Sequence, residues 1–176
     1  MTETPDAAPS RPVPDQHRAA GPDRVRCALI TVSDTRTEAD DKSGRLMRER
    51  LEEAGHAVLH ARIVRDEPGD IRTAIDAARA DCQVVILSGG TGLTRRDSTF
   101  EVVSPLLDRP IPGFGELFRM LSWQEIGAAS MLSRATAGVS RGLLIFALPG
   151  SSAGVRLAMD SLIVPELRHI LQQLSR

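Results

Sequence analysis

At 176 residues the chain is long enough to fold as one α/β domain with a full core. Its 41% hydrophobic and 26% charged residues match an ordinary globular protein, with only 3% aromatics to fill an aliphatic interior. A formal net charge of −1 excludes the broad basic footprint that nucleic acid or an anionic membrane requires, so an anionic ligand has to be held by a local site. No apolar run reaches spanning length and the start is acidic and proline-rich, so the reading is a protein of the cytoplasm with no membrane segment.

Residues 1–23 hold five of the eleven prolines among Ala, Asp and Ser, a composition that cannot bury enough surface to order itself. The expectation is a disordered tail over 1–23, then a single domain over 24–176. Cys27 to Val32 is a continuous apolar run, as in a strand covered on both faces. A polar loop follows, then Leu46, Met47, Leu51 and Ala54 recur at helical spacing until Gly55 stops the helix. Ala57–Val64 reads as a second strand, and Asp70 as the cap of a helix with the stripe Ile71, Ala74, Ile75 and Ala78. Val84–Leu87 is a third strand that ends in Ser88-Gly-Gly-Thr-Gly92.

Beyond that loop, Ser98 and Glu101 have capping-box spacing ahead of Val102, Val103 and Leu106. Gly115–Trp123 and Glu125–Ala137 both read as helical. Leu143–Leu148 is the last strand, and Pro149-Gly-Ser-Ser152 leads into a long C-terminal helix that Pro165 interrupts. Strands that are apolar throughout and alternate with helices predict a mostly parallel sheet with helices on both faces. Cys27 and Cys82 sit inside apolar runs without metal-site spacing and read as buried free thiols. His17, His56, His60 and His169 form no nucleophilic arrangement in the sequence.

In open α/β sheets the chemistry gathers at the carboxyl ends of the strands. Four segments meet there: Ser33-Asp34, Asp66-Glu67, Gly89–Asp97 and Pro149–Ser152. Three glycines at 89, 90 and 92 either turn their N–H groups toward a phosphate or simply make a tight turn. Arg95-Arg96-Asp97 either neutralises an anion beside a metal or is a solvated charge cluster. Asp66 is either a second carboxylate on the same site or a plain loop acid.

The segments Thr31-Val-Ser-Asp34, Ser88–Gly92, Arg95-Arg-Asp97, Pro112-Gly-Phe-Gly-Glu116, Leu132-Ser-Arg-Ala135 and Leu148-Pro-Gly-Ser151 follow one another in register. Together they resemble the MogA/MoaB family of molybdenum-cofactor biosynthesis proteins, from about Arg24 to the C-terminus; Pro112–Gly127 is closer to MoaB. The resemblance implies a molybdopterin-binding α/β fold that assembles as homotrimers or hexamers, with a MoeA-type protein as pathway partner. It implies a molybdopterin adenylyltransferase using ATP and magnesium, in which Asp66 and Asp97 are the essential acids and the metal ligands. The implied substrate contacts are Ser33, Asp34, Ser88, Gly89, Gly90, Thr91, Gly92, Arg96, Glu116, Ser133, Pro149, Gly150 and Ser151. The alternative is a non-catalytic MoaB-type pterin binder or oligomeric scaffold. Two positions depart from the pattern: Ser152 stands where Pro is frequent, and Ser98 where Val is common.

Overall fold

β3 (Val84–Ser88) has no exposed residue, which requires neighbours on both edges and cover on both faces. The computed structural model describes residues 21–175 and supplies both. β3 pairs in parallel with β1 (Arg26–Val32) on one side and with β6 (Leu143–Leu148) on the other. β2 (Ala57–Val64) continues the sheet in parallel beside β1. β5 (Thr136–Ser140) and the short β4 (Arg109–Pro110) run antiparallel at the far edge, giving the order β2-β1-β3-β6-β5-β4.

Successive strand residues feed opposite cores. Leu29, Ile86, Phe146 and Leu148 face the layer formed by α1 (Lys42–Glu53), α4 (Pro112–Ile126), α5 (Ser152–Ala158) and α6 (Val164–Leu174). Ile30, Val85, Leu87 and Ile145 face α2 (Pro68–Ala78) and α3 (Thr99–Val103). Phe114 meets Phe146 edge-on with ring centroids 5.2 Å apart, which fixes α4 against the sheet. Both cysteines are buried and free; burial pushes the Cys27 thiol up to about 12 and the Cys82 thiol up to about 11.

The mostly parallel sheet and its main strands agree with the sequence reading, and four local features differ from it. α2 begins at Pro68, with Glu67 as the capping residue and Asp70 in the first turn, because proline's fixed φ and missing N–H suit the first helical position. Ser98 does not cap α3 with its side chain; its hydroxyl is committed to Asp66. No helix spans Glu125–Ala137. α4 stops at Gly127 (φ 60°), a 3-10 segment follows over Gly127–Leu132, and Thr136–Ser140 is β5. The reversal from β5 to β6 takes two residues of positive φ, Arg141 and Gly142, whose twist suits an antiparallel hairpin.

The C-terminal interruption is a π-helical stretch over Met159–Ile163 that widens the helix just ahead of Pro165. No helix among the described residues is long and apolar enough to cross a membrane. Gly21 and Asp23, counted with the tail on composition, both accept from the Arg168 guanidinium, at 3.1 and 2.7 Å; residues 1–20 of that expected tail lie outside the described residues.

His56, buried between α1 and β2, accepts from Val25 N–H through Nδ1 at 3.4 Å and so joins the starts of β1 and β2. Burial, then the nearby Arg168 guanidinium, holds its ring below the ordinary value of 6.5. A depressed folded-state value means the neutral ring's contribution is complete above pH 6.5 and is lost as pH falls through the lower folded value. Thermal melts of wild type should therefore fall more steeply below pH 6.5 than those of His56→Asn, which keeps an acceptor and does not titrate; parallel pH profiles would contradict this.

Candidate active site

Chain direction creates the site. From β1 the chain moves outward to β2; from β3 it leaves to the other side, so the loops after β1 and β3 diverge and leave a crevice between them. A cleft of about 570 Å³ opens there, bordered by Val32 and Ser33, by Ser88 through Gly92, by Asp66 and Asp97, and by Pro149–Ser151 after β6. Gly89 (φ 102°) packs so tightly on β1 that a Cβ would collide with the Val32 carbonyl oxygen. Gly90 (φ 64°) leaves no room either, since a Cβ would meet Thr99 Oγ1 and would lie 2.7 Å from Asp66 Oδ2. Both glycines are thus required by backbone conformation and by space.

Asp66 and Asp97 flank this loop. Asp66 Oδ1 accepts from Ser98 N–H at 2.9 Å and Ser98 Oγ at 2.7 Å, while Asp97 Oδ2 accepts from Thr94 N–H at 2.9 Å and Thr94 Oγ1 at 2.6 Å. A Cβ on Gly92 would lie 2.8 Å from Asp97 Oδ2, so Asp97 crowds Gly92 much as Asp66 crowds Gly90. Among the described residues Asp66 Oδ2 and Asp97 Oδ1 accept no hydrogen bond, so each carboxylate keeps one hard oxygen available. That donor set fits Mg²⁺ held by two carboxylates together with substrate phosphate. Ser88 Oγ, buried on the cleft wall, also has no hydrogen-bond partner among the described residues.

The remaining sequence-derived residues divide. Ser33, Ser88, Gly89, Gly90, Thr91, Gly92, Ser133, Pro149, Gly150 and Ser151 border the cleft with the two acids. Asp34 and Arg96 do not border it: they form an ion pair at its rim, and Arg96 also approaches Glu67 at 3.8 Å. Arg96, then the Asp66 N–H, holds the Asp34 carboxyl below the usual carboxylate range. Glu116 lies in a separate groove of about 400 Å³ with Arg119 and Arg134, which meets the cleft only at Ser133.

Residues 28–169 match a family model described as "Probable molybdopterin binding domain". A molybdenum cofactor biosynthesis protein B from Halalkalibacterium halodurans is 50% identical over 163 residues, covering 91% of this chain and 96% of that protein. Its counterpart from Escherichia coli K12 is 48% identical over 145 residues, 81% of this chain and 85% of the relative. A crystal structure of a tungsten cofactor synthesizing protein MoaB from Pyrococcus furiosus superposes with a TM-score of 0.82 at 40% identity, over 88% of this chain and 99% of that one. The chain belongs to this molybdenum-cofactor biosynthesis family.

Two arginines that the sequence reading did not place in the site shape it in this family member. Arg36, four residues past the end of β1, is the one cationic side chain bordering the cleft among the described residues. It donates to Gly150 O at 3.3 Å, beside Ser43 Oγ at 3.2 Å, and so ties the turn after β6 to the loop after β1. Arg36 stands in the same polar loop as Ser33-Asp34, and its position just past a central strand was the available signal.

Arg134 clamps the glycine loop from outside. Its Nε donates to Thr91 O at 3.0 Å, its Nη2 to Gly92 O, and the guanidinium pairs with Glu101 while lying 4.9 Å over the Phe100 ring. With those two carbonyls held from outside, the loop is fixed against the cleft. Lysine has one point charge and cannot reproduce the fork. Arg134→Lys should cost roughly 1–3 kcal/mol in urea unfolding and speed amide exchange at Gly90–Thr94; unchanged exchange there would show that the clamp does not hold the loop.

Proposed function

We propose that the chain is a molybdopterin adenylyltransferase: it binds molybdopterin in the cleft and moves AMP from Mg-ATP onto the pterin's terminal phosphate. The observation that carries this reading is the flanking of the Gly89–Gly92 loop by Asp66 and Asp97 inside one cleft, each with an uncommitted oxygen. A phosphate oxygen of molybdopterin forms a bond to the α-phosphorus of ATP, the bond from that phosphorus to the β-bridging oxygen breaks, and pyrophosphate leaves. The nucleophile is already an anion at neutral pH, so the protein's work is positioning and charge neutralisation rather than proton abstraction. Asp66 and Asp97 would hold Mg²⁺, which offsets charge on the phosphates as they approach.

The chain's own groups suit the ligands. The glycine loop offers the backbone N–H groups of Gly90, Thr91 and Gly92, that of Gly89 being taken by Leu148 O, and Arg36 offers a guanidinium at the opposite wall. Phe118, Ile126, Leu132 and Leu157 supply an apolar wall suited to a flat heterocycle. We also read the exposed stripe Leu117, Met120 and Trp123 on α4, with Met131 just beyond, as a subunit contact of a homotrimer or hexamer. The adenylylated product would pass to a MoeA-type partner.

A second reading, pterin binding without turnover, is favoured by Arg96, whose charge is already engaged by Asp34 and Glu67 instead of facing the cleft. Product analysis separates the two. Purified protein mixed with molybdopterin, ATP and Mg²⁺ should yield adenylyl-molybdopterin and pyrophosphate. Asp97→Asn should lower the rate at least about a hundredfold with an unchanged melting temperature. Gly90→Val should lose pterin affinity, since its side chain would occupy the space of Thr99 Oγ1 and Asp66. Pterin binding by wild type without product would overturn the enzyme reading in favour of the second. Normal turnover in Asp97→Asn would overturn the role given to that carboxylate.

A further inference from the structure

A second group of ligating side chains lies away from the cleft, near the amino end of β3. His60 projects from β2, and Asp81 and Cys82 are the residues just before β3. His60 Nε2 is 2.9 and 2.8 Å from the two Asp81 carboxylate oxygens, and Cys82 Sγ is 3.5 Å from Asp81 Oδ1. One donor atom from each of the three lies within 4.8 Å of the others. Around a tetrahedral ion with bonds of about 2.0–2.3 Å, ligand atoms are separated by about 3.3–3.7 Å, so small side-chain rotations suffice to close the site.

The backbones that carry these donors are already fixed. β2 is paired with β1 from Ala57 to Val64, with a register shift that passes over Leu59 and sets His60 opposite Ala28. The loop before β3 is tied to β1 by Arg26, whose Nε donates to Asp81 O at 2.6 Å and whose N–H donates to Gln83 Oε1 at 3.1 Å. His60 and Asp81 are partly exposed, which leaves a path for an ion, whereas Cys82 is buried at the inner side. The small side chains of Ala28, Ala74 and Ala78 line the hollow beside His60. An ion pair alone would employ only His60 and Asp81. A sulfur donor on the same carboxylate oxygen adds a ligand that Mg²⁺ and Ca²⁺ avoid and that borderline cations prefer.

We infer that His60 Nε2, an Asp81 carboxylate oxygen and Cys82 Sγ form a three-ligand site for a divalent cation of the zinc class, with water in the fourth position. Binding replaces the thiol proton, which passes to solvent, by a metal–sulfur bond. The ion joins edge strand β2 to the start of β3 across β1, so it acts on the sheet and not on the cleft. Its chemistry is independent of the adenylyl-transfer reading.

The test uses the full chain without an affinity tag, stripped by chelator and kept reduced with a phosphine. Co²⁺ titration should give a near-ultraviolet thiolate-to-cobalt charge-transfer band that saturates at one equivalent and is removed by added Zn²⁺. Cys82→Ser should abolish the band although Cys27 remains, and His60→Asn, altered at a partly exposed strand position, should weaken Co²⁺ affinity by about tenfold or more. Zn²⁺ should raise the melting temperature of wild type and not of either variant. Absence of the band at one equivalent, or equal Co²⁺ affinity in wild type and His60→Asn, would overturn the site.

Discussion

The contact of Gly89 with the Val32 carbonyl is the constraint on which the cleft depends. It brings the carboxyl ends of β1 and β3 to a separation that no side chain would allow, at the point where the chain's two directions of travel diverge. Gly150 repeats the motif one strand over, with its Cβ position only 3.2 Å from Gly89 Cα. Three strand ends are thus stacked glycine on backbone, and the loops that leave them must fan outward. The space between the fans is the cleft, and its floor is backbone.

Charge in that space is arranged locally. The chain is nearly neutral overall, so no long-range field gathers an anion. Two carboxylates flank the glycine loop, a situation that would repel a phosphate unless a cation stands between them. The cations near the site have separate duties: Arg36 ties the turn after β6, Arg134 holds the glycine loop, and Arg96 neutralises Asp34 at the rim. Removal of any one would disturb geometry before it disturbed charge. In the proposed adenylyl transfer, this division leaves the phosphate charge to a carboxylate pair and a divalent ion rather than to an arginine cluster.

Much of this was legible in the sequence because the residues concerned act through local rules. Continuous apolar runs named β1, β3 and β6, and the glycine cluster marked the turn after β3. The antiparallel edge was not legible: Ala135–Ser140 carries small residues whose strand state is set by pairing with β6, and the turn has Gly142 at its second position but Arg141, at φ 49°, where Asn, Asp or Gly usually stands first. Asp66 and Asp97 could be assigned to one crevice from topology, but the link between them, Ser98 donating to Asp66 through both N–H and Oγ, is a tertiary fact. Arg134 was visible as part of a motif and not as a clamp, because its reach to Thr91 and Gly92 depends on the 3-10 segment folding back beside α3. Glu116 belonged to the same motif set, yet the course of α4 sets it in the neighbouring groove.

If the cleft between the β1 and β3 loops is the pterin site, a crystal structure of the protein with molybdopterin bound will show the ligand there. The pterin's terminal phosphate should lie against the N–H groups of Gly90–Gly92, between that loop and the Pro149–Ser151 turn, with Asp66 and Asp97 facing it across a divalent ion; the Gly89 N–H stays on Leu148 O. A pterin seated instead in the groove of Glu116, Arg119 and Arg134, with the glycine loop free of ligand, would contradict the assignment.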